Sequence, residues 1–284
     1  MPKTNKLSKD VIAKMKQSYL EGASINKVAR KFNVARSTVQ RHLSDIRRPY
    51  EPRNAFELIP NDMTEEIAEC AGIIAGDGTI WKEKNRGLRI RIRGNPKDEQ
   101  EYYNNWVKPL FERTFNIKVL SKHFSGGSYG IEINSSKIAR FFSEVFELPI
   151  GKKATTIKFP KCLLEARKEV KLAFLRGLID TDGYIYFNTM PAKSWGGTRF
   201  KTLYVGLGLS SEAIIGQIKE ILTEYSFKVS KITVSKGSPW TNNPEFNLRV
   251  CGIKSFYRYL SEIKSNNPRF KQKIDIITEV MRNG

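Results

Sequence analysis

The nine residues 70–78, CAGIIAGDG, return at 175–183 as LRGLIDTDG. A lone Asp-Gly after a helix is a turn signal and carries little more. Two copies at matched places in one chain constrain it much further. Gly72 and Gly177 each fall inside a helical pattern, where glycine costs about 1 kcal/mol relative to alanine. The same cost at the same register in both copies signals two backbones in close approach. Helices that cross at these glycines lay their C-termini side by side, which makes neighbours of Asp77 and Asp182. That arrangement is electrostatically poor, because each carboxylate sits at the negative end of a helix dipole and the two repel. A divalent cation between them is the natural remedy. Such an ion can also draw in a phosphate, activate water and neutralise a leaving oxygen.

The repetition extends beyond the nine residues. Each copy closes a helix, TEEIAECAGIIAGDG and KEVKLAFLRGLIDTDG. Strand patterns follow, LRIRIRGN in one half and YIYFNT with FKTLYVGLGLSS in the other. Each half continues with a helix (DEQEYYNNWVKPLFERTF, SEAIIGQIKEILTEYSF) and a strand (NIKVLS, KVSKITVS). After a turn comes a further strand, YGIEINS or EFNLRVCG, and a closing helix rich in aromatic residues. The predicted order, helix–strands–helix–strands–helix, is an α+β unit used twice. The spacing predicts a first half over 63–160 and a second over 161–284. Ahead of them lies a linker over 49–62 that is rich in proline and lacks a period.

Residues 1–48 read as a separate all-α module. Val11, Ile12, Met15, Tyr19 and Leu20 recur at helical spacing, with Gly22 closing the helix. Ser24 opens a second helix with Ile25, Val28, Ala29 and Phe32 on one face, and Asn33 suits a left-handed turn. Val34, Val39 and Leu43 then bury a third. The module resembles the helix-turn-helix of resolvases and transposases. That resemblance implies that Arg36, Ser37, Thr38, Gln40 and Arg41 face a DNA major groove.

Composition narrows the chemistry. The chain has 284 residues, with 49 Lys+Arg against 29 Asp+Glu and a formal charge of +20. The excess is spread along the whole chain, which favours a nucleic-acid partner over a membrane-binding tail. Only two histidines and three scattered cysteines occur, so a zinc site and a disulfide frame both lack ligands. Metal chemistry must then rest on carboxylates, whose oxygens suit Mg²⁺, Mn²⁺ or Ca²⁺. No apolar run reaches the ~18 residues of a membrane span and no leader pattern opens the chain. The expectation is an intracellular protein of cytoplasm or nucleoid, with an organelle left open.

The paired runs resemble the motif of the LAGLIDADG homing endonucleases. The second copy departs from it at Arg176 and Thr181. The first departs at Cys70, Ala75 and Gly76. Both keep the final acid, Asp77 or Asp182, which holds the metal in that family. The resemblance implies two pseudo-symmetric αββαββα halves with antiparallel saddle sheets and the motif helices as the central interface. It implies Mg²⁺, with Mn²⁺ as a substitute and Ca²⁺ bound without cleavage. The ion would be held by Asp77, Asp182 and the carbonyls of Gly76 and Thr181. A lysine near each metal is also implied: Lys152 with Lys153 beside it, and Lys271 ahead of Lys273.

Strand alternation turns one set of side chains to the groove. In the first half these are Arg89, Arg91, Arg93, Glu132 and Asn134. In the second they are Tyr184, Tyr186, Asn188, Thr202, Tyr204, Lys231, Thr233, Asn247 and Arg249. Three like-charged arginines on one face call for something anionic opposite them. The implied activity is metal-dependent double-strand cleavage by a monomer at a long, pseudo-palindromic DNA target. A regulator that keeps the scaffold without the chemistry, and an RNA maturase acting on a host intron, stand as alternatives. No splice-junction pattern frames the domain.

Overall fold

A computed structural model describes residues 7–21, 23–44, 46, 57–84, 87–191, 198–237 and 242–282. Gly22, residues 49–56 of the expected linker and residues 192–197 ahead of FKTLYVGLGLSS lie outside them. The chain divides into two compact units, 1–55 and 56–284.

The first unit is three short helices, α1 (Lys9–Leu20), α2 (Ile25–Lys31) and α3 (Arg36–His42). Ser8 and Ser24 cap α1 and α2 by accepting from the backbone N–H of Val11 and Lys27. Asn33 takes a left-handed conformation, φ 52°, in the turn between α2 and α3. Met15, Val28, Ala29, Val39 and Leu43 form the core. Leu20, expected with them, is 51% exposed, because it closes the last turn of α1 on the outer side.

The second unit opens with α4 (Glu65–Ala75), capped by Thr64. Strands β1 (Gly78–Glu83) and β2 (Gly87–Gly94) follow, then α5 (Pro96–Tyr102) and α6 (Lys108–Phe115), then β3 (Leu120–His123), β4 (Tyr129–Ile133) and α7 (Ser136–Glu144). The second half repeats the order with α8 (Lys168–Asp182), β5 (Gly183–Pro191), β6 (Thr198–Leu209), α9 (Glu212–Glu224), β7 (Thr233–Lys236), β8 (Pro244–Cys251) and α10 (Ile253–Arg258). Each half has one four-stranded antiparallel sheet, in the order β1-β2-β4-β3 and β5-β6-β8-β7. The halves are thus topological copies, an α+β fold with a helical module ahead of it.

A single hydrophobic core runs through both halves. Its centre is the α4–α8 crossing. A methyl group on Gly72 would strike the carbonyl oxygen of Phe174, and one on Gly177 would strike that of Glu69. The backbones therefore touch at both glycines, which accounts for the repeated cost read from the sequence.

Three expectations shift. The strand predicted over 116–121 begins only at Leu120. Asn116 adopts a left-handed conformation, φ 49°, to end α6, and Ile117 and Val119 turn into the core. The strand predicted over 228–235 begins at Thr233, because Ser226 is left-handed and Val229 makes one isolated bridge to Val250. Lys231 accordingly precedes β7, and Asn134 lies one residue beyond β4. The sequence pattern also missed α11 (Lys271–Arg282), which extends the second half and has no counterpart in the first.

Candidate functional site

Asp77 and Asp182 stand where the two motif helices end. Gly76 caps α4, and a side chain there would run into Thr181 and the Oδ2 of Asp182. The tip of one motif thus lies directly on the tip of the other. Burial pushes the Asp77 carboxyl above its ordinary value, and the charge of Asp182 pushes it further. Burial likewise raises Asp182, against the pull of Lys153 and Arg269. Tyr103, in the wide helical turn Tyr103–Val107 that joins α5 to α6, donates its hydroxyl to Asp77 Oδ2 at 2.7 Å.

Two cations reach the pair. Lys153, not Lys152, turns inward: its Nζ donates to the carbonyl of Ala75 at 2.6 Å and also to that of Gly76. Burial pulls its ammonium below the usual lysine range, while Asp182 and Asp77 pull it back up. Lys152 is exposed. In the second half the matching position belongs to Arg269. Its Nη2 donates to the carbonyls of Thr181 at 2.8 Å and Gly183 at 2.9 Å. Its Nη1 pairs with Glu99 Oε1 at 3.1 Å. Lys271 is exposed in the first turn of α11, and Lys273 donates to the carbonyl of Ile185. Each half therefore sends one cation to the carbonyl preceding its final acid, a lysine in one case and an arginine in the other.

Glu99, Tyr103 and Arg269 escaped the sequence reading. Glu99 is buried, accepts from the backbone N–H of Asn95 at 2.8 Å, and lies beside Gly94 with the Tyr103 hydroxyl. Burial raises its carboxyl and Asp77 raises it further. In the sequence it reads as an ordinary acid in the first turn of a helix after an Asn-Pro start. Tyr103 reads as one apolar position among several. No local signal distinguishes either.

The chemistry of these donors fits a hard divalent cation. Two neighbouring carboxylates held above their ordinary range by burial, with the charge of Asp182 adding to the rise of Asp77, are relieved by an ion between them. Among the described residues no three His, Cys, Asp or Glu side chains gather to hold a metal. The remaining donors would come from backbone, water or substrate.

The predicted groove-facing residues fall into two kinds of surface. On the first sheet, Arg91 faces Glu132 in register, and the anion required by the arginine row is supplied by the protein itself. Glu132 receives Arg91 Nη2 at 3.1 Å, Lys122 Nζ at 3.1 Å and Arg89 Nη1 at 3.6 Å. Arg89 Nε also pairs with Glu83 at 2.6 Å. Burial would raise the Glu132 carboxyl, but hydrogen bonds from Lys122 and Arg91 hold it below the ordinary range. Glu132 is only 9% exposed, so it is a buried hub rather than an outward reader. Arg91 also lies over the Trp81 and Phe124 rings, and Arg93 is exposed.

The second sheet is aromatic. Tyr204 stacks on Tyr186 with centroids 5.2 Å apart and meets Tyr184 edge-on at 6.0 Å, while Arg249 lies over Tyr204. Asn188 faces Thr202, and Thr233 faces Asn247. In the N-terminal unit Arg36, Ser37, Gln40 and Arg41 are exposed on α3 and Thr38 is half-buried.

Comparison with known proteins bears on this geometry. Residues 169–264 match the LAGLIDADG-like domain family, and that span holds the second motif and most of the second half. That span of the chain is similar to a LAGLIDADG-like domain. Residues 5–45 match the helix-turn-helix domain of resolvase. A glutamine–fructose-6-phosphate aminotransferase (isomerizing) of Methanocaldococcus jannaschii is 26% identical over 225 residues, or 78% of this chain. The chain spans only 18% of that protein's length. Among solved structures, the I-LtrWI LAGLIDADG homing endonuclease bound to target DNA covers 78% of this chain. The match extends over 92% of the I-LtrWI chain, at 14% identity and a TM-score of 0.47. The N-terminal LAGLIDADG domain of DUF199/WhiA covers 72% of this chain and 86% of its own, at 15% identity and a TM-score of 0.41. Among the described residues, no helix is long and apolar enough to cross a membrane.

Proposed function

We propose that the chain is a site-specific endonuclease that cuts both strands of duplex DNA at a long target. The observation that carries this reading is the meeting of Asp77 and Asp182, one from each half, at the end of a helix pair. Mg²⁺ held between them would supply Lewis-acid stabilisation of a phosphorane and an activated water. The chain's own groups account for the rest. Tyr103 fixes the orientation of Asp77. Lys153 and Arg269 sit at the two motif ends, where a cation offsets charge developing on a scissile phosphate. Glu99 holds the Arg269 guanidinium in place. The first sheet offers a neutralised Arg–Glu lattice and the second an aromatic one, so the two half-sites differ in sequence. The helix-turn-helix extends the contact on flanking DNA through α3.

A regulator that reads DNA without cutting it is the second reading. It is favoured by the presence of a helix-turn-helix in the N-terminal unit and by the engagement of Gly76 and Thr181 carbonyls with Lys153 and Arg269. One experiment separates the two. The protein is incubated with a random duplex library in Mg²⁺ or in EDTA, and both bound and cut fragments are sequenced. A nuclease yields metal-dependent ends at one recurring sequence. Enrichment of bound fragments with no ends at any metal concentration establishes the regulator instead.

A further inference from the structure

We infer that Glu69 and Arg176 form a lock that lets the α4 face pair with an α8-type helix and with no copy of itself. Glu69 is 1% exposed and lies on α4 two turns before the final acid. Its Oε2 receives Arg176 of α8 through Nε at 2.9 Å and Nη2 at 2.8 Å. Its Oε1 receives Trp106 Nε1 at 2.5 Å and Asn266 Nδ2 at 3.0 Å. Arg176 Nη1 reaches the carbonyl of Ile263 at 3.3 Å. Both oxygens of this buried carboxylate are thus satisfied, and of its three donors only Trp106 belongs to its own half.

Pseudo-symmetry shows what this excludes. The close approaches of Gly72 to the Phe174 carbonyl and of Gly177 to the Glu69 carbonyl make positions 69 and 174 equivalent. Position 71 is by the same token equivalent to 176. The mirror image of the Glu69–Arg176 contact is therefore Phe174 with Ala71, both fully buried and apolar. One crossing point is ionic and its twin is not. Pairing two first halves would set Glu69 against Ala71 twice, leaving two buried carboxylates without a cation. Pairing two second halves would set Arg176 against Phe174 twice, leaving two half-buried guanidinium groups without an anion. An orphaned buried charge costs far more than an intact pair contributes, so the ion pair acts chiefly by penalising the wrong partner. Arg176 is also one of the two residues, with Thr181, at which the second motif departs from the family pattern.

The lock is joined to the site. The Asn266 side chain donates to Glu69, while its backbone N–H donates to Asp180 Oδ2 at 2.8 Å. Asn267 donates to the Asp180 carbonyl, and Arg269 follows two residues later. Correct pairing thereby delivers Arg269 to the second motif.

The test starts from the folded full chain. A protease site is inserted in the exposed turn at Leu164–Glu165 and cut after folding. Two preparations of different mass are mixed in sub-denaturing urea, returned to buffer, and their pairs counted by native mass spectrometry. Unlike-half pairs are expected to exceed like-half pairs by about a hundredfold or more. In Glu69→Leu/Arg176→Leu that ratio is expected to fall at least about tenfold while unlike pairs persist. An unchanged ratio in the double variant, or abundant like-half pairs in the parent, overturns the inference. Thermal unfolding of the intact chain gives a second readout that does not need the cut. Glu69→Ala and Arg176→Ala should each lower the midpoint at least as far as the double alanine variant does. Losses that simply add would show that the two residues are uncoupled and would also overturn it.

Discussion

At the scale of single residues, the acids at the motif ends are held protonated above the ordinary carboxylate range. Burial raises Asp77 and Asp182, the charge of Asp182 raises Asp77 further, and Asp180 is pushed up to about 7 by burial and by the charge of Glu69. A carboxyl whose folded pKa lies above its unfolded value holds a proton that the unfolded chain has already released. Its contribution to stability is complete below the ordinary carboxylate range and is lost as pH rises to about 7. The metal-free protein should therefore melt at a lower temperature at pH 8 than at pH 5.5. Added Mg²⁺ should raise the midpoint at pH 8 and do little at pH 5.5, since metal and proton compete for the same oxygens. Asp77→Asn should raise the metal-free midpoint at pH 8 by the equivalent of about 1–3 kcal/mol. Calorimetry at the two pH values checks all three. A metal-free midpoint that climbs with pH over this range would show that these acids are not held above their ordinary values.

At the scale of elements, two contacts invite direct measurement. Gly72 has the Phe174 carbonyl where a methyl group would stand. Gly72→Ala should cost about 3 kcal/mol or more in urea unfolding, against a small gain at an ordinary helix position. On the first sheet, Glu132→Gln should loosen Arg89, Arg91 and Lys122. Non-specific duplex affinity should rise, and the slope of log K against log salt should steepen by about one. A flat response would mean that the arginines do not meet phosphate. The same elements show what the sequence could and could not reveal. Paired glycines and repeated acids have a local signature, so the helix crossing and the meeting of the two motif acids were legible. Alternation in LRIRIRGN separates the three arginines from the buried isoleucines, yet it could not show that Glu132, some forty residues on, would sit opposite Arg91. Strand starts at 116 and 228 failed because Asn116 and Ser226 turn left-handed, a choice made by helix ends rather than by strand propensity. Lys152 lost to Lys153, and Lys271 to Arg269, because which side chain of a basic loop points inward depends on packing that leaves no periodic trace.

At the scale of the whole molecule, one duplicated unit presents two unlike surfaces, and a separate helical unit adds a third. Charge is distributed over all of it, with a formal +20. Removing residues 1–48 should weaken DNA binding and shorten the protected footprint while metal-dependent cutting continues, as footprinting and a cleavage assay on the same duplex would show. An unchanged footprint would take the helix-turn-helix out of target recognition. The central claim is that acids from both halves act on one chemistry, and a single comparison reaches it. Wild type, Asp77→Asn and Asp182→Asn are assayed side by side for binding and cutting of the selected target in Mg²⁺. Wild type should cut both strands, and each variant should bind the target comparably while losing cleavage by about 10²-fold or more. Undiminished cutting by either variant would contradict the account.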